Sequence, residues 1–230
     1  MRSCSRGPGR AGQRGDDVPG APAPGITTQK KSLHASERDT PRIQQARQDY
    51  RQRITALDLG RLKFVDESGV NLAMTRLYGR APTGERVIGS VPQNYGQNVT
   101  MLGTLGIQGL DAMMTVDGAT DADVFRTYVK RVLGPTLTPG DIVVMDNLQA
   151  HKAVGVQQAI ARRGARLLYL PPYSPDLSPI EPCWSKLKTA LRKAKARTRA
   201  ALDVAIAEAM TTVSPMDAWG WFKHCGYPVH

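Results

Sequence analysis

Three carboxylates stand where apolar stretches of this chain give way to polar ones. Asp66 follows Leu62-Lys63-Phe64-Val65, Asp146 follows Ile142-Val143-Val144-Met145, and Glu181 opens a segment in which Ile180, Trp184, Leu187 and Leu191 recur at helical spacing. A carboxylate at the end of an apolar strand packs poorly, and in α/β sheets functional groups gather at the carboxyl ends of strands. Magnesium and manganese prefer such oxygen donors. Two of these ions about 4 Å apart can activate water and stabilise the leaving oxygen of a phosphodiester. Each acid also has a purely structural reading. An Asp after a strand often caps the next turn. Around Glu181, Ser178 as N-cap, Pro179 at the first helical position and Glu181 at the third spell a capping box. For one such Asp the structural reading is the stronger. Two in parallel contexts, with a third acid held in a rigid first helical turn, shift the balance to chemistry.

These acids need a frame, and the sequence supplies one. Good helix formers from Gln44 to Ile54 predict a helix. Leu62–Val65, Val87–Val91 and Val99–Leu105 read as strands, with Ala112–Val116 as another strand or a continuation. Asp121–Leu133 carries Val124, Tyr128, Val129 and Val132 on one side and stops at Gly134-Pro135, as an amphipathic helix does. Asp141–Met145 and Arg166–Leu170 are apolar runs typical of strands buried on both faces. Between them a helix is expected from Lys152 to Arg163. Further helices are expected over Pro179–Lys195 and Thr198–Thr212. The order of strands and helices predicts an α/β fold, a mixed sheet with helices on its faces. Asp66 then runs directly into a loop. If the strand continues, Glu67 points to its opposite face and is solvated, and Trp184 belongs to the core rather than to a base-stacking surface.

The 230 residues carry 31 Lys+Arg against 20 Asp+Glu, a net charge of +11. That excess favours a polyanionic partner, through release of condensed counterions, although a basic composition alone has the same effect on the total. Its distribution says more. Lys186, Lys188, Arg192, Lys193, Lys195, Arg197 and Arg199 follow one another with no acid among them, which reads as a phosphate-facing surface. Residues 1–25 hold six Gly, four Pro and four Arg with almost nothing to bury. Residues 1–43 are therefore expected to be a disordered basic leader and linker, and 44–230 the folded domain. The three cysteines, Cys4, Cys183 and Cys225, include no Cys-x-x-Cys pair, against a disulfide framework or a structural zinc. No apolar run is long enough to span a membrane and no signal-peptide pattern is present, so a cytoplasmic protein is expected.

Four stretches resemble the transposases of bacterial insertion sequences in the mariner-like superfamily, with their DDE endonuclease domain. They are Phe64-Val65-Asp66-Glu67-Ser68-Gly69, Thr75-Arg76-Leu77-Tyr78-Gly79-Arg80-Ala81-Pro82, Val144-Met145-Asp146-Asn147-Leu148-Gln149-Ala150-His151, and the block from Leu170-Pro171-Pro172-Tyr173 to Ile180-Glu181. Asp146 and Glu181 are separated by 34 residues, the interval that superfamily favours. The likeness runs from about Lys31 to Tyr227. It implies an RNase H-like fold, and Asp66, Asp146 and Glu181 as ligands of two Mg²⁺ or Mn²⁺ ions, with Asn147 and His151 in support. It also implies cleavage of DNA at element ends, transfer of the freed 3′-hydroxyl into target DNA, and a homodimer on DNA. Pro171-Pro172-Tyr173 reads as a shaped loop that delivers the Glu181 helix. Such transposases begin with helix-turn-helix modules, for which residues 1–30 lack the apolar periodicity. End recognition is then expected from a separately encoded subunit, or the chain is a DNA-binding remnant that does not transpose. A third reading is an RNase H-like nuclease acting on other substrates.

Overall fold

The computed structural model describes residues 33–94, 96, 98–147 and 155–229. The chain divides into two units, Met1–Leu33 and His34–His230, and all of the described elements belong to the second. A five-stranded sheet organises it, with β1 (Leu62–Val70), β2 (Val99–Gly106), β3 (Gly109–Asp117), β4 (Ile142–Met145) and β5 (Arg166–Tyr169) in the order β3-β2-β1-β4-β5. β1 pairs antiparallel with β2 and parallel with β4, so the sheet is mixed, as expected from the sequence.

Two of the expected strand boundaries change. β1 does not stop at Val65. Its residues 66–70 pair antiparallel with 99–103 of β2, so Asp66 lies within a strand rather than at the start of a loop. The segment 87–91 is not a strand. Val87, Ile88 and Val91 are 56%, 91% and 50% exposed. β1 already has β2 on one edge and β4 on the other, and an apolar run without a partner strand has nothing to complete its backbone hydrogen bonds. The third strand of the antiparallel half is β3.

Helices cover both faces. α1 (Pro41–Ile54), α4 (Ile180–Ala194), α5 (Arg199–Thr211) and α6 (Pro215–His224) pack a core that includes Tyr50, Phe64, Val144, Trp184, Leu187, Leu202 and Phe222. On the other face, α2 (Ala122–Tyr128) and α3 (Val156–Ala161) bury Phe125, Tyr128 and Ile160 against Val65, Val143 and Met145. Alternation along β1 and β4 divides the residues: Phe64 and Val144 face the first core, Val65 and Val143 the second. α2 is capped by Asp121, whose carboxylate accepts from the Asp123 and Val124 amides. It widens into a π turn over Val129–Leu133 before the Gly134–Thr136 turn ends it. α6 is not foreseen in the sequence reading. It starts on a capping box formed by Ser214 and Asp217, and its Phe222 ring stands edge-on to Phe64 at 5.3 Å. Among the described residues no helix is long and apolar enough to cross a membrane.

Candidate active site

The parallel pairing of β1 and β4 sets the site. Leu62 pairs with Ile142, Lys63 with Val143 and Phe64 with Val144. Carried two residues on, that register brings Asp66 beside Asp146, on the face that holds Phe64, Val144 and α4. Asp66, Asp146, Asn147 and Glu181 line one cleft of about 440 Å³, together with the Pro171–Pro175 loop, Ser178 and Arg42 of α1. The structure thus brings three of the expected acids and Asn147 together. His151 lies outside the described residues.

Asp66 is held by α4. The Trp184 indole N–H donates to Asp66 Oδ2 at 3.0 Å. Trp184 is a core residue, as expected, and also fixes the rotation of this carboxylate. Gly103 makes that reach possible. It is the β2 partner of Asp66, and a Cβ there would sit 2.8 Å from the Trp184 ring and 3.2 Å from Met113 Sδ. Neither the glycine nor the indole contact was visible in the sequence, because both depend on cross-strand register. Gly103→Ala is expected to displace the ring, moving the indole N–H proton resonance of Trp184 and costing about 1–3 kcal/mol of stability. An unmoved resonance would show that the ring does not depend on the missing side chain.

Burial, the largest cause, drives the Asp66 carboxyl up to about 7. The Glu67 amide and the Trp184 indole pull it back, while the charges of Glu181 and Asp146 push it further up. Glu181 is exposed at the cleft mouth, yet the protein crowding it raises its carboxyl. The charge of Lys188 opposes that rise and Asp146 adds to it. The three acids therefore sense one another, and no Lys or Arg makes an ion pair with Asp66 or Glu181 among the described residues.

The expected capping box at Glu181 is absent. α4 begins at Ile180 with Pro179 as its cap residue, no side chain caps it, and the Glu181 amide bonds to the Ser178 carbonyl at 3.2 Å. Ser178 instead closes a preceding turn over Pro175–Leu177, which moves the helix start by one residue. The Glu181 carboxylate takes no hydrogen bond from a described residue, so its structural explanation falls away.

The loop before α4 is fixed by a buried arginine. Arg47 of α1, 1% exposed, donates to Ser174 Oγ at 2.6 Å and bidentately to Asp176 at 3.0 and 2.7 Å. The Tyr227 hydroxyl donates to the Leu177 carbonyl at 2.8 Å and meets the Tyr50 hydroxyl at 2.9 Å. Burial alone would raise the Asp176 carboxyl, but the hydrogen bonds and charge of Arg47, with Arg38, hold it below the ordinary value. Tyr173 adopts a left-handed backbone (φ 55°) at the turn.

The basic run divides. Lys186 is paired with Asp217 at 2.6 Å, Arg197 donates to the Leu72 and Met74 carbonyls, and Arg199 binds Asp117, Asp203 and Thr115. Lys188, Arg192, Lys193 and Lys195 have no ion-pair partner among the described residues. Glu67, expected to be solvated, is half-buried on the opposite face of β1.

The DDE superfamily endonuclease family matches residues 61–203, which span all five strands and reach into α5. The chain belongs to that family. It is 27% identical over 143 residues to the Tcb2 transposase of Caenorhabditis briggsae, covering 58% of this chain and 52% of that protein. It therefore spans about half the length of that relative. Its fold is RNase H-like, that of the catalytic domain of the Mos1 mariner transposase, with a TM-score of 0.64 at 15% identity, over 86% of this chain and 93% of that one. The Mos1 mariner paired-end complex with Mn gives a TM-score of 0.70 at 16% identity, over 87% of this chain and 64% of that one.

Among the described residues, no three His, Cys, Asp or Glu side chains form a ready-made cage for a metal ion. The donor set nevertheless fits a hard divalent cation. It consists of carboxylates crowded into one cleft, one of them, Asp66, raised to about 7 chiefly by burial and further by its acidic neighbours.

Proposed function

We propose that the domain read from the sequence as residues 44–230, together with the first turn of α1 that carries Arg42, is the catalytic domain of a DNA transposase of the mariner-like superfamily, encoded by a bacterial insertion sequence. The observation that carries this reading is the convergence of Asp66, Asp146 and Glu181, from two neighbouring strands and a helix start, on one cleft in which their charges interact. The three carboxylates would hold two Mg²⁺ or Mn²⁺ ions. Bound there, such ions activate a water or a 3′-hydroxyl for attack on a phosphodiester and stabilise the oxygen that leaves. The Mos1 complex with Mn supports the choice of metal.

The chain's own groups do the positioning. Trp184 holds the Asp66 carboxylate in one rotation, and the Arg47–Asp176 clamp fixes the loop that leads to Glu181. Asn147 lines the cleft beside Asp146 and would support the substrate there, with His151 in the same motif. Among the described residues, Arg42 is the one basic residue lining the cleft. Its guanidinium would bind a non-bridging oxygen of a phosphate next to the cleaved bond. Lys188, Arg192, Lys193 and Lys195 extend positive charge along α4 for the DNA backbone, and Lys186, Arg197 and Arg199 brace that surface. The substrates on this reading are element ends and target DNA. Because two ends must be joined, the working form is a homodimer on DNA.

The test is nicking of supercoiled plasmid. Nicking is expected with Mg²⁺ or Mn²⁺, to stop on adding EDTA, and to fall about 10³-fold or more in Asp146→Asn, the scale of losing several kcal/mol of charge stabilisation. Nicking that persists in Asp146→Asn would remove the assignment.

A further inference from the structure

A second concave surface lies along α4, away from the acid cleft. Arg197, just past the helix, donates to the carbonyl oxygens of Leu72 and Met74 at 2.7 and 2.9 Å, tying the segment after β1 to the helix. Beyond that tie, Arg76, Leu77 and Tyr78 form one wall of a groove of about 490 Å³, and Ala190, Arg192 and Lys193 form much of the other. The wall is built closely: a Cβ on Gly79 would lie 2.5 Å from Val87 Cγ1.

Its chemistry has two parts. The first is charge. No carboxylate lines the groove, and Arg76, Arg192 and Lys193 have no ion-pair partner among the described residues. Lys186 also lines it, but its ammonium is taken by Asp217. The second is an open aromatic and aliphatic surface, with Tyr78 88% and Leu77 68% exposed. Phosphates of a duplex need only the cations, because the paired bases are already stacked. An unpaired strand needs both, since its bases gain a π-face to stack on while its phosphates meet Lys and Arg. An acidic peptide would use the cations and leave Tyr78 without a purpose.

One residue of the groove's α4 wall also shares a helix face with the cleft, while Thr189, Lys193, Lys186 and Ala190 stand about 80–180° around the axis from Glu181. Arg192 follows Glu181 by eleven residues on α4. That places it about 16 Å along the axis and about 20° around it, on the same helix face. The distance is at most roughly five nucleotides, the count at B-form rise, because an unpaired strand is more extended.

We propose that this groove binds an unpaired stretch of the DNA strand leaving the acid cleft, with Tyr78 stacked on a base and Arg76, Arg192 and Lys193 on flanking phosphates. The direction of the strand rests on the proposed function; the binding chemistry belongs to the groove alone. The experiment measures binding of the full chain to a fluorescent oligo(dT) 20-mer and to a 20-base-pair duplex, in EDTA, by anisotropy. Tyr78→Ala is expected to weaken oligo(dT) binding at least about fivefold, the low end for loss of one stacked base. Duplex binding should change less than twofold, and Tyr78→Phe should restore the oligo(dT) affinity. Arg192→Ala with Lys193→Ala should shallow the log–log salt dependence on oligo(dT) by about 1.4. Because Tyr78 is exposed, an unchanged melting temperature in Tyr78→Ala separates lost contact from lost fold. Unchanged oligo(dT) affinity in Tyr78→Ala, equal losses on both DNAs, or displacement of oligo(dT) by a poly-glutamate peptide at lower concentration than by unlabelled oligo(dT) would each overturn the proposal. These measurements need no cleavage, so wild type that fails to nick leaves them intact. Conversely, metal-dependent nicking with an indifferent Tyr78 removes the groove and keeps the cleft.

Discussion

Asp66→Asn is expected to make the metal-free protein more stable above pH 7 while eliminating nicking. Folding carries the Asp66 carboxyl from 3.8 to about 7, chiefly by burial. Below about pH 4 the folded and unfolded states both hold the proton, and the group costs nothing. Between the two values the folded state binds more protons than the unfolded one, so stability falls as pH rises, and the full penalty stands above pH 7. At 1.36 kcal/mol per pH unit the penalty is on the order of 2–4 kcal/mol. Asparagine cannot ionise and escapes it. Melting in EDTA at pH 8 should therefore rise on the order of 5–10 °C in Asp66→Asn, with little difference at pH 3.5. The Trp184 N–H can still donate to the amide oxygen, so the fold keeps that contact. A group that lowers stability where it is charged, yet is needed for activity, is a functional group by its energetics. A melting point at pH 8 that drops in Asp66→Asn, or nicking that survives it, would contradict this account.

The same reasoning predicts how metal acts on the wild type. A divalent cation among Asp66, Asp146 and Glu181 would offset the burial and the mutual repulsion that raise the Asp66 and Glu181 carboxyls, so Mg²⁺ or Mn²⁺ should stabilise the wild type at pH 8 more than it does Asp66→Asn. The benefit follows the ligand-binding relation and grows with metal concentration.

The three acids were legible from local context because each sits at a change from apolar to polar sequence, which a strand end produces at Asp146 and a helix start at Glu181, while Asp66 lies inside β1 where the strand leaves the core for the cleft. What held them there was not legible. The alternation of 87–91 looks like a strand, but pairing, not pattern, decides whether one forms, and β2 and β4 already flank β1. Capping signals misled in both directions. Ser178-Pro179-Ile180-Glu181 has the residues of a box and lacks its hydrogen bonds, because a tight turn over Pro175–Leu177 claims Ser178. Ser214-Pro215-Met216-Asp217 has the box and starts α6. The basic run likewise mixed two kinds of residue. Charge counting cannot separate Arg199, bound to two aspartates, from Arg192, which has none. Arg47 in the polar first helix gave no sign that it would be buried, since its partners lie about 130 residues further on.

Removing Asp176 is expected to cost more stability than a half-exposed carboxylate ordinarily would. Its side chain is 38% exposed, whereas that of Arg47 is 1% exposed. Asp176→Ala leaves the arginine with Ser174 as its remaining partner and a charge that cannot reach water. Breaking a buried pair from one side typically costs about 3–5 kcal/mol, far above the 0–1 kcal/mol of a surface pair. The cost should appear as a lower denaturation midpoint with an unchanged slope. It should also reach the cleft, because the residues released, Ser174 to Ser178, set where Glu181 enters α4. Nicking is then expected to fall at temperatures where the variant is still folded. The distinguishing variant is Arg47→Met added to Asp176→Ala. It removes the stranded charge and restores apolar volume, so the double variant should be more stable than Asp176→Ala alone by at least about 1–2 kcal/mol. Arg47→Lys should not rescue, since an ammonium cannot reproduce the two parallel bonds to Asp176. If Asp176→Ala costs less than about 1 kcal/mol, water or a neighbour satisfies Arg47, and the loop is held instead by Tyr227, whose hydroxyl bonds to the Leu177 carbonyl.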